Sequence, residues 1–142
     1  MAKTKVLIVD DDMAASRLLA LGLERTGYQV KVENVATHAL ATTQEFKPDV
    51  ILLDVCMPGA DGGDVAFLIH GNAALRSIPI VFLTSLVSGK EGKNEGVLRG
   101  GYEFLPKPAS LARVTECIGR YLGQRDEASP APNGANRDLS VA

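Results

Sequence analysis

The chain has 142 residues with a formal net charge of −2, and 46% of them are hydrophobic. This length suits one domain, and this hydrophobic content supports a core and excludes wholesale disorder. The charge excludes the basic footprint of a nucleic-acid-binding protein, and no apolar run approaches the roughly 20 residues of a membrane helix. The cysteines lack metal-type spacing and no signal-peptide core precedes the first aspartates, so we expect a cytoplasmic protein with reduced thiols.

Five short apolar runs are predicted to be strands. They cover residues 6–9, 28–33, 50–53, 78–83 and 102–105. The first, third and fourth runs are continuous and rich in β-branched and aliphatic residues, which is typical of strands buried on both faces of a sheet. The second run alternates apolar and polar residues, which favours a position near the sheet edge.

Helical periodicity follows each of these runs. Asp12 is predicted to cap the first helix and Gly27 to end it, and Asn34 is predicted to cap the second helix. The third helix is predicted from Gly62 to His70, with Val65, Leu68 and Ile69 facing inward. A fourth helix over residues 90–99 is weakened by glycines, and a fifth follows Ser110 and carries its last apolar residue at position 122.

The alternation of strands and helices predicts an α/β fold, a doubly wound five-stranded parallel sheet with five helices. No second domain or internal repeat is visible. Residues 4–123 are predicted to form the domain. Periodicity is lost over residues 124–142, where Ala, Pro, Asn and Asp dominate, so we expect a flexible C-terminal tail or linker there.

Polar residues stand where these strands end. Because the carboxyl ends of parallel strands share one edge, five side chains are expected to be neighbours there: Asp10, Asp11, Asp54, Thr84 and Lys107. Clustered carboxylates repel one another, and a divalent cation such as Mg²⁺ would relieve that repulsion. Helix capping is the alternative explanation for the aspartates after the first strand, but it does not account for Asp54.

A carboxylate in such a place can act as a nucleophile toward phosphorus. Lys107, held between two prolines, supplies a positive charge for a phosphoryl oxygen, and Thr84 supplies a hydroxyl donor. The carboxylate cluster therefore suggests phosphoryl transfer to Asp54.

Four sequence motifs carry a resemblance to a known family. They are Val9-Asp10-Asp11, Asp54 with Met57-Pro58-Gly59, Thr84-Ser85, and Lys107-Pro108. In this order and spacing they resemble the receiver domain of two-component response regulators (CheY-like), over residues 4–123. The resemblance implies the flavodoxin-like strand order 2-1-3-4-5 and a cis peptide bond between Lys107 and Pro108.

The resemblance also implies residue roles. Asp54 is the implied phosphoacceptor. The implied Mg²⁺ ligands are Asp11, Asp54 and the backbone carbonyl of Cys56, with Asp10 acting directly or through water. The implied phosphate-binding residues are Thr84, Ser85 and Lys107. Thr84 and Phe104 are the implied switch residues.

A signalling switch, and not a turnover enzyme, is what these roles imply. A sensor histidine kinase or histidine phosphotransfer protein would supply the phosphoryl group. A downstream protein would then bind the face built by the fourth helix, fifth strand and fifth helix, with no direct contact to nucleic acid or membrane.

Other protein classes use related features. A phosphohydrolase of the haloacid dehalogenase type also places an aspartate after a buried strand, but it needs a second aspartate two residues later, where this chain has Cys56. A flavin- or nucleotide-binding module needs a glycine-rich phosphate loop after the first strand, where this chain has three aspartates. An interaction module that has lost phosphorylation is disfavoured because all the active positions are present.

Overall fold

The computed structural model describes residues 3–85, 98–99 and 102–128. The chain forms two compact units, Met1–Leu111 and Ala112–Ala142. The first unit contains the sheet and the second contains nearly all of the C-terminal helix. None of the helices in these described ranges is both long enough and apolar enough to cross a membrane.

The first unit is built on a parallel sheet of five long strands. These are β1 (Lys5–Val9), β2 (Gln29–Glu33), β3 (Val50–Asp54), β4 (Ile80–Thr84) and β5 (Tyr102–Pro106). Their order is β2-β1-β3-β4-β5 and every neighbouring pair is parallel, which confirms the expected doubly wound fold and strand order. A two-residue strand, Leu98–Arg99, pairs antiparallel with β5 at the sheet edge.

The core explains why β1 and β3 are continuous apolar runs. Both strands are central, and every residue from Val6 to Val9 and from Val50 to Leu53 is fully buried. Alternate residues of each strand join a cluster with α2 (Ala39–Phe46) and α3 (Gly62–His70). Val9 pairs with Leu53 in register, so the residues that follow β1 reach the same edge as the end of β3.

The first helix, α1 (Met13–Thr26), begins and ends as predicted. Asp12 Oδ1 accepts the Ala15 N–H at 3.0 Å, which makes Asp12 the N-cap. Gly27 ends the helix with φ = 111°, a left-handed conformation that glycine adopts without steric cost. Helix α3 also has the predicted bounds, with Asp61 as its N-cap.

Three local predictions are wrong. Asn34 does not cap the second helix, because a short 3₁₀ helix (Ala36–His38) precedes α2. The N-cap of the 3₁₀ helix is Val35, and the N-cap of α2 is His38. Leu68 on α3 is 57% exposed instead of inward-facing. Residues 57–61, where Pro58-Gly59 predicts a loop after the third strand, instead belong to a small antiparallel ladder of Cys56–Met57 with Ala60–Asp61.

The C-terminal part of the chain also differs from expectation. The predicted helix at residues 90–99 cannot include its last two residues, because Leu98–Arg99 is a strand, and residues 90–97 lie outside the described part of the chain. The C-terminal helix runs from Leu111 to Ala128, into the segment predicted as a tail, and carries buried Val114, Cys117 and Ile118 at helical spacing. Residues 129–142 of that predicted tail lie outside the described residues.

Candidate functional site

Three aspartates meet at the carboxyl edge of the sheet. Asp10 and Asp11 follow β1 directly, and Asp54 is the last residue of β3. One carboxylate oxygen from each lies within 4.8 Å of the others. Asp10 and Asp54 are only 2% and 4% exposed, whereas Asp11 is exposed to solvent. The predicted carboxylate cluster is therefore present, with two members buried and one open to incoming groups.

Asp54 has an unusual protonation equilibrium. Burial of the carboxylate, followed by the negative charge of Asp10, raises the pKa of Asp54 from 3.8 to about 6, although Lys107 acts in the opposite direction. The Cys56 N–H lies 3.4 Å from Asp54 Oδ1 and favours the charged form only weakly. Near neutral pH the carboxylate is therefore mostly ionised, as a nucleophile must be.

Lys107 reaches into this cluster from the end of β5. Its Nζ lies 3.0 Å from Asp10 Oδ2 and 3.7 Å from Asp54 Oδ2. Burial alone would lower the pKa of Lys107, but its hydrogen bond to Asp10 and the charges of Asp10 and Asp54 outweigh burial and raise it. The Lys107 N–H donates to the Thr84 carbonyl at 2.8 Å, which holds the backbone of Lys107 at the end of β4. The Lys107–Pro108 peptide is cis, as predicted.

The donor set fits a divalent cation. All the candidate side-chain ligands are carboxylate oxygens, which hard cations prefer. Lys107 contributes one positive charge against three carboxylates, so the cluster keeps a negative excess that a cation would offset. Cys56, whose backbone carbonyl was predicted as a ligand, has an exposed side chain and pairs with Asp61 in the small antiparallel ladder.

The remaining predicted residues lie on β4 and β5. Thr84 ends β4 and is half-buried, and exposed Ser85 follows it. Phe104 on β5 is half-buried, and its ring stacks on that of Phe82 with centroids 4.9 Å apart. Phe82 also makes an edge-to-face contact with Tyr102, so the predicted switch residue belongs to an aromatic group inside the fold.

One residue of the site was missed by sequence reasoning. Asn34 Nδ2 lies 2.6 Å from the Asp10 carbonyl oxygen, although the two residues are 24 positions apart. A local pattern carries no signal for such a contact, because it depends on β2 lying beside β1. Asn34 has instead the sequence appearance of a helix cap.

Stability without metal is expected to fall as the pH rises through the titration of Asp54. Between pH 4 and 6 the folded chain holds a proton that the unfolded chain releases, because the folded pKa is about 6 and the ordinary value is 3.8. The stability lost across this window is at most about 3 kcal/mol. Asn at position 54 cannot ionise, so Asp54→Asn removes this loss. In urea unfolding with EDTA, the variant should be more stable than the wild type at pH 8, but it should have no such advantage at pH 4.5. Equal pH profiles for the two proteins would contradict the prediction.

Comparison with known proteins assigns this arrangement to a family. The response regulator receiver domain family matches residues 6–119. The polar-differentiation response regulator DivK of Brucella anthropi is 32% identical over 119 residues, which covers 83% of this chain and 95% of DivK. The response regulator PleD of Caulobacter vibrioides is 38% identical over 104 residues, which is 73% of this chain and only 23% of PleD.

Solved structures agree with this assignment. The chemotaxis protein CheY4 of Vibrio cholerae has a TM-score of 0.72 at 29% identity, covering 84% of this chain and 99% of CheY4. A signal receiver domain from Vibrio parahaemolyticus, at 22% identity, supports the fold alone, with a TM-score of 0.75. The family match, the relatives and the doubly wound sheet all agree, and the chain belongs to the response regulator receiver domain family of two-component signal transduction.

Proposed function

We propose that this chain is a phosphorylation switch in which Asp54 accepts the phosphoryl group. The observation that carries the proposal is the setting of Asp54, a buried carboxylate at a strand end with the Lys107 ammonium 3.7 Å away. An oxygen of Asp54 forms the new bond to phosphorus while the bond from phosphorus to the donor breaks, which gives an acyl phosphate. The receiver domain is proposed to span residues 4–123.

Mg²⁺ is the proposed cofactor. Asp10, Asp11 and Asp54 would hold it, together with the backbone carbonyl of Cys56, because oxygen ligands on a partly open edge suit this ion. When bound, Mg²⁺ offsets the charge that carboxylates and phosphoryl oxygens share. Such compensation is needed here because Asp10 and Asp54 are buried side by side.

Lys107, Thr84 and Ser85 are the proposed phosphate-binding residues. The Lys107 ammonium already lies between Asp10 and Asp54, so it can pair with an oxygen of a group attached to Asp54. Thr84 ends β4, and its carbonyl accepts a hydrogen bond from the Lys107 backbone N–H, so the backbones of these two residues are held together. Exposed Ser85 leaves room beside them.

Thr84 and Phe104 are proposed to transmit the change. Phosphorylation adds charge and acceptor oxygens, which draw the Thr84 hydroxyl toward Asp54. The half-buried ring of Phe104 can then shift against Phe82, with which it stacks, and change the surface that β5 presents to a downstream protein. The predicted fourth helix of that surface lies largely outside the described residues.

A histidine kinase or histidine phosphotransfer protein is the proposed phosphodonor. A cavity of about 460 Å³ lies beside Asp10 and Lys107, and its lining includes Leu18 and Leu21 of α1 and Leu111. These three leucines are exposed, and an apolar rim next to Asp10 and Lys107 suits a protein donor. The donor's phosphorylated histidine would be presented to Asp54 from this side.

Phosphorylation by a small donor tests the proposal. With acetyl phosphate and Mg²⁺, intact mass spectrometry of the wild type should show the addition of one phosphoryl group, about 80 Da. Asp54→Ala should show no adduct, and Asp64→Ala, which removes an exposed aspartate of α3, should react like the wild type. An adduct that persists in Asp54→Ala would contradict the assignment.

The phosphohydrolase alternative gains no support from the comparisons. That chemistry needs a general acid two residues after the nucleophile, and Cys56 occupies this position. A switch that holds its phosphoryl group, and not an enzyme that turns over substrates, is therefore the proposed activity.

A further inference from the structure

Asn34 makes two hydrogen bonds that converge on the turn carrying the aspartates. It follows β2 directly, and its Nδ2 lies 2.6 Å from the Asp10 carbonyl oxygen and 3.2 Å from Ser16 Oγ. An amide nitrogen carries two hydrogens, so Asn34 can donate to both acceptors at once. The side chain therefore joins the end of β2 to the end of β1 and to the first turn of α1.

Ser16 extends this connection. Its hydroxyl, only 1% exposed, donates to the Asp12 carbonyl at 2.8 Å, with the Met13 carbonyl a longer alternative at 3.2 Å. A serine oxygen can accept one hydrogen bond while it donates another. The turn from Asp10 to Asp12 is thus held at Asp10 by Asn34 directly, and at Asp12 by Asn34 through Ser16.

The side chain of Asp10 is fixed within the same network. Its Oδ1 accepts the Asp12 N–H at 3.0 Å, and its Oδ2 faces Lys107 Nζ. Asp11 lies between the two held residues and is the exposed member of the carboxylate cluster. Its backbone position is therefore determined by groups that include Asn34 and Ser16.

We infer that Asn34 is a positioning residue for cation binding, acting through Ser16 and the backbone of Asp10. This inference depends on the proposed function, because it assumes that the cluster binds Mg²⁺. Partners behind the ligands orient them before the ion arrives, and their loss weakens metal binding by about 10- to 100-fold. A purely structural role would instead lower the stability of the fold and leave the affinity for Mg²⁺ unchanged.

The positioning role and the purely structural role are distinguished by isothermal titration calorimetry, in which the unphosphorylated full chain is titrated with Mg²⁺ at pH 8. Asn34→Ala should bind Mg²⁺ about tenfold more weakly than the wild type. Ser16→Ala should lose a smaller factor, and the double variant should lose less than the product of the single effects, because both residues act in one connection. The temperature is kept below the unfolding transition of each variant.

Thr43→Ala is the matched control. Thr43 is fully buried and its hydroxyl donates to the Ala39 carbonyl at 2.7 Å within α2, so the variant also loses a buried bond to a backbone carbonyl. It should be destabilised and bind Mg²⁺ like the wild type. Weakening of equal size in Thr43→Ala and Asn34→Ala would overturn the positioning role, because a general loss of stability would then explain both.

The other outcomes are also decisive. Wild-type affinity in a folded Asn34→Ala variant overturns the inference and leaves the proposed function intact. If Asn34→Ala does not fold, Ser16→Ala decides, and wild-type affinity in that variant overturns the inference. A wild-type chain that binds no Mg²⁺ overturns the inference and the proposed metal site together.

Discussion

Lys107→Met is expected to lower the free energy of unfolding by about 3 kcal/mol at pH 8 in EDTA. The substitution removes the ammonium that lies 3.0 Å from Asp10 and 3.7 Å from Asp54, and it leaves two buried carboxylates without that charge. Methionine retains most of the lysine stem, so packing is largely preserved. The loss should therefore report the charge and not a cavity.

The pH dependence of this loss has a defined sign. Without Lys107 the pKa of Asp54 rises above its wild-type value of about 6, because the positive charge that opposes the rise is gone. Protonation of Asp54 relieves the repulsion in the variant, so the difference from the wild type should be smaller at pH 5 and larger at pH 8. Urea unfolding followed by circular dichroism measures both values.

Lys31→Met serves as the control for this experiment, since it removes an exposed lysine from β2. It should change the free energy of unfolding by less than about 0.5 kcal/mol at either pH. A penalty for Lys107→Met that does not depend on pH would show that the lysine contributes by packing and not by its charge.

Gly62→Ala is expected to cost about 3 kcal/mol of stability and to disturb the position of Asp54. A Cβ atom at position 62 would lie 2.5 Å from the Asp54 carbonyl oxygen and 2.9 Å from Val55 Cα. Both neighbours are backbone atoms, of the last residue of β3 and of the residue after it, so relief requires α3 and the strand that carries Asp54 to move apart. The variant should accordingly also lose phosphorylation by acetyl phosphate, measured by intact mass at a temperature where it is folded.

Gly119→Ala is the control, because an added Cβ there meets nothing within 4 Å. It lies inside the C-terminal helix, where alanine is favoured over glycine by about 1 kcal/mol, so this variant should be more stable and should accept phosphate normally. Unchanged stability of Gly62→Ala would mean that α3 can move away from β3 without cost.

The parallel sheet and the carboxylate cluster could both be predicted from the sequence for the same reason. Continuous apolar runs identify β1 and β3 as central strands, and their parallel alignment brings Asp10, Asp11 and Asp54 to one edge. Lys107 follows by the same argument from the end of β5. Local capping chemistry was equally informative at Asp12 and Gly27, whose partners lie within a few residues.

Features that depend on contacts between residues far apart in the sequence could not be predicted in this way. Asn34 is a residue type that often caps helices, yet its amide donates to the Asp10 carbonyl, because the parallel pairing of β1 and β2 brings the ends of these strands together. Leu68 follows the helical repeat of α3, but its exposure depends on what lies beside the helix. The two-residue strand at Leu98–Arg99 lies in a glycine-rich segment whose composition carries little strand signal.

The strand Leu98–Arg99 has a consequence for how molecules of this protein behave in concentrated solution. An open edge of a sheet presents unpaired backbone donors and acceptors, which recruit strands from other chains. Here the outer side of β5 is already paired at Tyr102 and Glu103, and the opposite edge strand, β2, places exposed Gln29 and Lys31 along its length. We therefore expect edge-to-edge aggregation to be disfavoured in two ways, by backbone pairing along part of β5 and by exposed polar side chains on β2.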